Sequence, residues 1–148
     1  MENLLKQITD LGYGYMWRHR AGFEDLKGKT FTDIHVVKND DKYDDECILF
    51  KCDNGDVYYM YHEQDCCEWV TIEDINGDID CLLNTPILLA EEIVQEGKTD
   101  EDYDDSETWT FYKLGTVKGY VDIRWYGTSN GYYSESVDLV KVERADLK

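Results

Sequence analysis

CILFKCDNGDVYYMYHEQDCCEWVTIEDI, residues 47–75, is the stretch on which the fold turns. Two apolar-alternating runs flank Asp53-Asn54-Gly55-Asp56. Asn-Gly is a strong hairpin signal because both residues tolerate the positive φ angles of a type I′ turn. A polar connection with His62, Cys66 and Cys67 follows, and then a third strand from Glu68 to Ile75. The pattern predicts a three-stranded antiparallel meander as the nucleus of the chain.

Upstream, Leu4, Leu5, Ile8 and Leu11 at helical spacing predict an amphipathic helix over residues 2–11, ended by Gly12 and Gly14. The next segment, GYGYMWRHRAGF, is aromatic and basic together and suits either packing or docking. Thr32, Ile34 and Val36 alternate through a first strand between Lys29 and Lys38, and residues 39–46, NDDKYDDE, form an acidic loop.

Downstream, Asn76-Gly77-Asp78 closes the third strand, and residues 79–86, IDCLLNTP, read as a short turn or helical segment stopped by Pro86. Ile87 to Gln95 reads as a strand, although Glu91 and Glu92 also suit a helix. The run EGKTDEDYDDSE, residues 96–107, reads as an exposed loop, because so many like charges cannot be buried together. Three further strands, TWTFYKLGTV, GYVDIRWYG and YYSESVDLVKV, fill Thr108 to Val142, with turns at residues 117–119 and 128–131. An offset of 64 lays Gly55, Val57, Tyr59 and Tyr61 on Gly119, Val121, Ile123 and Trp125. A longer loop then lays Cys66-Cys67 on Tyr132-Tyr133, and Val70 and Ile72 on Val137 and Leu139. A duplicated unit predicts two similar three-stranded meanders packed together.

The fold class expected is β-rich α+β: a short N-terminal helix plus six to eight mostly antiparallel strands in one or two sheets. At 148 residues the chain makes one domain, with a helix and aromatic/basic lead over 1–28 and a β-rich body over 29–142. A hydrophobic share of 42% and a single proline agree with a packed globule. No stretch reads as a signal peptide or a membrane span, and five cysteines, an odd number, favour thiols in a reducing cytoplasm. Thirty-three acids face 15 bases, for a net charge of −18, and residues 31–107 alone hold 24 acids and 4 bases. Such a field repels nucleic acid and anionic membrane and steers basic partners inward. Arg18-His19-Arg20 is a small basic exception.

YYMYHEQDCCEWVTIEDINGD, PILLAEE and TWTFYKLGTVKGYVDIRWYGTSNGYYSESV resemble the recurring blocks of a family of short proteins of unknown function in tailed phages and prophages. The resemblance covers about residues 28–140 and brings no catalytic residues. It implies a small accessory protein of phage origin, in a setting where such genes often serve host takeover or the defeat of host defences.

His62, Cys66 and Cys67 form H-x-x-x-C-C, near the spacing of half a zinc knuckle, with Cys52 and Cys81 as further ligands. Adjacent strand residues point to opposite faces, so the two cysteines share a metal only if the loop curls; buried structural thiols are the other reading. Asp100, Asp102 and Asp104 begin like a calcium loop, but Asp105 stands at the glycine position and Phe111 at the glutamate position. No P-loop, nucleophile elbow, dinucleotide fingerprint or HExxH occurs, and Glu96-Gly97-Lys98, though spaced like a nuclease E-x-K, opens a charged loop. No enzyme is expected.

The function expected is inhibition of a host defence protein whose surface is basic and binds nucleic acid. Contacts would come from Asp40, Asp41, Asp44, Asp45 and Glu46, and from Asp100, Glu101, Asp102, Asp104 and Asp105. These carboxylates would stand in for phosphates, which in duplex DNA supply about one charge per 1.7 Å. Trp125, Tyr126, Tyr132 and Tyr133 would supply the uncharged contact area, or else pack across strands. The alternatives are a zinc-binding module and a small-molecule-sequestering one.

Overall fold

β-Structure dominates the computed structural model, which describes residues 2–38, 46–98 and 106–148. Two short helices, α1 (Glu2–Asp10) and α2 (Gly12–Arg18), precede eight strands. The strands are β1 (Phe31–Val37), β2 (Cys47–Cys52), β3 (Val57–Tyr61), β4 (Trp69–Asn76), β5 (Leu89–Lys98), β6 (Ser106–Thr116), β7 (Gly119–Ser129) and β8 (Asp138–Val142). They form two antiparallel sheets of four, ordered β1-β2-β3-β8 (sheet 1) and β4-β7-β6-β5 (sheet 2).

The central hairpin forms where it was expected, with Lys51 opposite Val57. Its turn differs: Gly55 is left-handed at φ 92°, whereas Asn54 is not among the positive-φ residues. The Asn54 side chain accepts instead from the backbone N–H of Asp56 at 2.9 Å, as an Asx turn does.

The two halves of the chain follow the same strand plan, but two separate meanders do not form. Strands β1 to β3 build sheet 1 and β5 to β7 build sheet 2, while β4 crosses to pair with β7 and β8 crosses back to pair with β3. Each half therefore completes the other half's sheet. An alternating strand buries the same apolar face against either partner, so the pattern that made the halves look alike could not reveal the exchange. The two crossing connections touch: His62 Nδ1 in the first lies 2.6 Å from the carbonyl of Ser136 in the second.

The main core lies between the sheets. Phe31, Ile48, Phe50, Tyr58, Met60 and Leu139 from sheet 1 meet Val70, Ile72, Tyr112, Leu114, Ile123 and Trp125 from sheet 2. Side chains such as Phe50 and Met60 each contribute roughly 1.5–3 kcal/mol by leaving water. The other face of sheet 1, through Leu49, Val57, Tyr59, Tyr61, Val140 and Val142, packs on Ile8, Tyr15 and Met16 of the helices. Burial on both faces explains why β3, VYYMY, shows no clean alternation. It also explains why GYGYMWR is a second helix: Gly12, at φ 86°, breaks α1, and α2 resumes at once to place Tyr15 and Met16 on the sheet.

Three boundaries move from expectation. β5 continues to Lys98 and β6 begins at Ser106, so both ends of the acidic run are strand, and β8 starts only at Asp138. No described helix is long and apolar enough to cross a membrane.

Candidate functional site

Strand β5 carries Leu89-Ala90-Glu91-Glu92-Ile93-Val94-Gln95-Glu96-Gly97. Its start packs on the core through Ala90, but every residue from Glu91 to Gly97 is exposed, with Ile93 at 63% and Val94 at 52%. A strand with carboxylates and branched apolar residues on both faces has no single face to bury, so it lies at the margin of the sheet. It pairs with β6 in unbroken register, Glu91 opposite Lys113 through Lys98 opposite Ser106.

On the inner side of β5 the β7–β8 connection stands over the sheet and leaves a cleft of about 500 Å³. Glu92, Glu96, Glu107 and Glu135 border it, together with Thr108, Thr110, Tyr112 and Tyr133, and among the described side chains no lysine, arginine or histidine lines it. Glu135 holds the wall in place. It is 7% exposed and accepts from Thr108 Oγ1 at 2.8 Å and from the hydroxyls of Ser106 and Ser129. Gly127 lets the connection sit this close, since a Cβ there would stand 2.8 Å from Glu135 Cβ and 3.1 Å from Val70 Cγ2. Across the cleft, burial raises the Tyr112 hydroxyl pKa far above its ordinary value, and the neighbouring Glu92 carboxylate adds to the effect.

A smaller groove of about 240 Å³ lies on the outer face of sheet 2, beside Ile93 and Phe111, with Glu91, Asp74 and Asp122 against Lys113 and Arg124. Arg124 pairs with Glu73 at 2.6 Å. Nearby, Trp109 and Tyr126 lie 5.2 Å apart by ring centroid, and Trp69 stands 6.4 Å from Tyr126. The Tyr126 hydroxyl donates to Glu107 at 3.0 Å; its pKa is raised, by burial first and by that bond second.

Of the residues expected to meet a partner, Asp40, Asp41, Asp44, Asp45, Asp100, Glu101, Asp102, Asp104 and Asp105 lie outside the described residues. Glu46 is not a surface acid. It is 6% exposed and latches onto β4, accepting from the Ile72 backbone at 2.7 Å and from the Thr71 hydroxyl. Trp125 is also unavailable: at 1% exposure it fills the core, because alternation sends it inward and its neighbour Tyr126 outward. Tyr132 is 83% exposed and Tyr133 half-buried at the cleft, their rings 5.1 Å apart and edge-on. The expected aromatic set therefore divides among the core, the outer sheet face and the cleft rim.

The connection after β3 does curl, and Cys66 and Cys67 bond to each other in a disulfide, which removes both as thiolate ligands. That pairing departs from the expectation that all five cysteines are thiols. His62 is held instead by Ser136 and faces Glu68 Oε2 at 3.5 Å, the two side chains 5% and 0% exposed. Glu68 also accepts from Gln64 Nε2 at 2.6 Å and from the backbone of Asp65 and Cys66 at 3.2 and 2.9 Å. Each crossing connection thus folds around one buried glutamate, Glu68 in the first and Glu135 in the second. Among the described residues no three of His, Cys, Asp or Glu stand together to hold a metal. Cys52 is buried between strands, where burial, with Asp56 nearby, raises its thiol to about 11.

The β5 margin escaped the sequence reading, although EEIVQE carried the signal: paired acids and paired apolar residues leave neither face apolar. The family described as Domain of unknown function (DUF7448) matches residues 24–139, a span that includes all of β5 and the cleft. No curated protein and no solved structure matches the chain.

Proposed function

We propose, from the premise that this chain belongs to the DUF7448 family of domains of unknown function, that it is a non-enzymatic protein that binds a basic partner protein through its acidic cleft. The observation that carries this reading is the cleft itself: Glu92, Glu96 and Glu135 border about 500 Å³ of open space, and among the described side chains no cationic one lines it. Like charges gathered without a counter-charge repel one another, and a cationic group entering between them relieves that repulsion. The net charge of −18 adds long-range attraction and raises the rate of encounter with a basic surface. The same field opposes direct binding to nucleic acid or anionic membrane.

The setting we propose with it comes from the resemblance of the sequence blocks to tailed-phage proteins. The chain acts in the host cytoplasm and inhibits a host defence protein, with carboxylates occupying a groove built for phosphates. The acids at residues 40–45 and 100–105 extend the charged surface in this proposal.

A charge-neutralisation series tests the reading. The probe is octalysine, titrated calorimetrically at about 50 mM salt, where screening is weak. Glu92→Gln and Glu96→Gln are combined in one variant; Asp33→Asn and Asp53→Asn, both exposed and outside the cleft lining, are combined in a control. At about 0.2–1 kcal/mol per exposed pair, the cleft variant is expected to weaken binding by about tenfold. The control is expected to lose less than about threefold by general field reduction. Equal losses in the two variants would show that the charge acts only as a diffuse field, and the proposal would fall.

A further inference from the structure

Four strands end the two sheets: β1 and β8 in sheet 1, β4 and β5 in sheet 2. Three of these edges are blunted. β1 is bulged between Phe31 and Asp33 and is bridged at its start by Leu83. β4 is bulged between Ile72 and Asp74, and Glu46 takes the Ile72 N–H. β8 is covered by the segment after α2: Ala21 N–H donates to the Leu139 carbonyl at 2.8 Å, and Lys141 N–H donates to the His19 carbonyl at 2.9 Å. β5 differs. It runs ten residues with no proline and no register shift; the turn at residues 23–26 packs against it and Ile87, just before it, bonds Gly28 and Lys29, but among the described residues no strand pairs along the other edge of residues 91–97. An unprotected regular edge presents a row of backbone donors and acceptors and is a template for another strand.

We infer that β5 is a docking edge at which an extended basic segment of the partner adds to sheet 2 as a fifth strand. The inference rests on the reading of the cleft as a site for a basic partner and specifies how that partner is held. Residues 91–97 offer about 23 Å of edge at roughly 3.3 Å per residue. Cavities flank the strand on both sides, the acidic cleft inside and the groove beside Ile93 and Phe111 outside. Side chains of an added strand alternate between the two sides, so the occupant carries lysine or arginine at every second position and apolar residues between. Backbone pairing supplies affinity and the alternating cavities supply selectivity.

A second copy of this chain is the other conceivable occupant, and charge argues against it. An antiparallel β5–β5 pairing centred on Val94 sets Glu92 of each copy opposite Glu96 of the other, and like charges directly opposite destabilise a strand pair.

The test uses the whole protein and two synthetic probes: an octapeptide alternating lysine with valine, and the same octapeptide N-methylated at every backbone nitrogen. Methylation removes the strand's donors and keeps its charge. The expected result is that the first peptide binds and slows amide exchange at alternate residues of 91–97 by at least tenfold, while the second binds at least tenfold more weakly. Equal binding of both with unchanged exchange along β5 overturns strand addition and leaves an electrostatic site. Binding by neither at low salt overturns both this inference and the function it rests on. Exchange along β5 that is already slow without peptide, and faster on dilution, assigns the edge to a second copy and overturns the basic-segment occupant.

Discussion

Replacing Glu135 with alanine removes the group that fixes the cleft wall to sheet 2, and the structure sets the size of the effect. The carboxylate accepts three hydroxyl hydrogen bonds, from Ser106, Thr108 and Ser129, and no described lysine or arginine pairs with it. Hydrogen bonds to a charged group are worth about 1.5–3 kcal/mol each, which sets a ceiling on the loss. Two effects lower it. The Ser106 and Ser129 hydroxyls, 3.2 Å apart, pair with each other once the carboxylate is gone, and Ser129 keeps the Tyr133 carbonyl at 3.2 Å. The cost of burying the carboxylate also disappears. The net loss expected is about 2–4 kcal/mol, a large share of a typical stability of about 5–15 kcal/mol. Glu135→Gln keeps the shape and lets the hydroxyls rotate to suit the amide, so it is expected to cost only about 1 kcal/mol. Urea unfolding followed by tryptophan fluorescence measures both variants. Alanine within about 0.5 kcal/mol of the parent, or glutamine no better than alanine, would refute the assignment of Glu135 as the anchor of the connection.

Gly127→Ala drives a methyl into Glu135 Cβ and Val70, and the expected cost is about 1–3 kcal/mol of stability in the same urea assay; no loss means that the connection is not packed as described. On the alkaline side, Cys52 is raised from 9.0 to about 11, and Tyr15 and Tyr58 from 10.0 to about 12, chiefly by burial. The unfolded chain therefore ionises these groups first, so their stabilising effect is complete below about pH 9 and is lost as pH rises toward 12. Unfolding free energy measured from pH 8 upward is expected to fall steadily above pH 9, and a flat profile to pH 11 contradicts the burial of these groups. Alkylation in denaturant is expected to modify three cysteines without reductant and five with it; five in both conditions means that Cys66 and Cys67 are thiols.

How much of this was legible in the sequence depended on whether a feature is local. The Asn-Gly turn and the apolar alternation on either side of it lie within a dozen residues, and the β2–β3 hairpin formed as read. The likeness of the two halves in strand plan was legible too, since Gly119, Val121, Ile123 and Trp125 carry the alternation of Gly55, Val57, Tyr59 and Tyr61. The exchange of β4 and β8 was not, because nothing within a strand names a partner that lies 46 to 85 residues away in the chain. Trp125 shows a finer failure. Grouping it with Tyr126 as surface aromatics ignored the period of two, which had already placed Val121 and Ile123 inside. Glu46 looked like one more acid in a charged run, and only the approach of Ile72 and Thr71 from a distant strand makes it a buried latch. The acidic character of the site was plain from composition, but its location on β5 was not, since a strand edge becomes an edge only through the order of strands around it.

The central claim is that the acidic β5 margin is the place where a basic partner binds. Mapping amide chemical shifts while titrating the alternating lysine-valine octapeptide into the native protein tests it most directly. The account predicts the largest changes at Glu91–Gly97, at residues 108–112 and at residues 131–137. Changes of equal size spread over distant exposed acids such as Asp33, Asp53 and Asp80, with β5 unmoved, would contradict it.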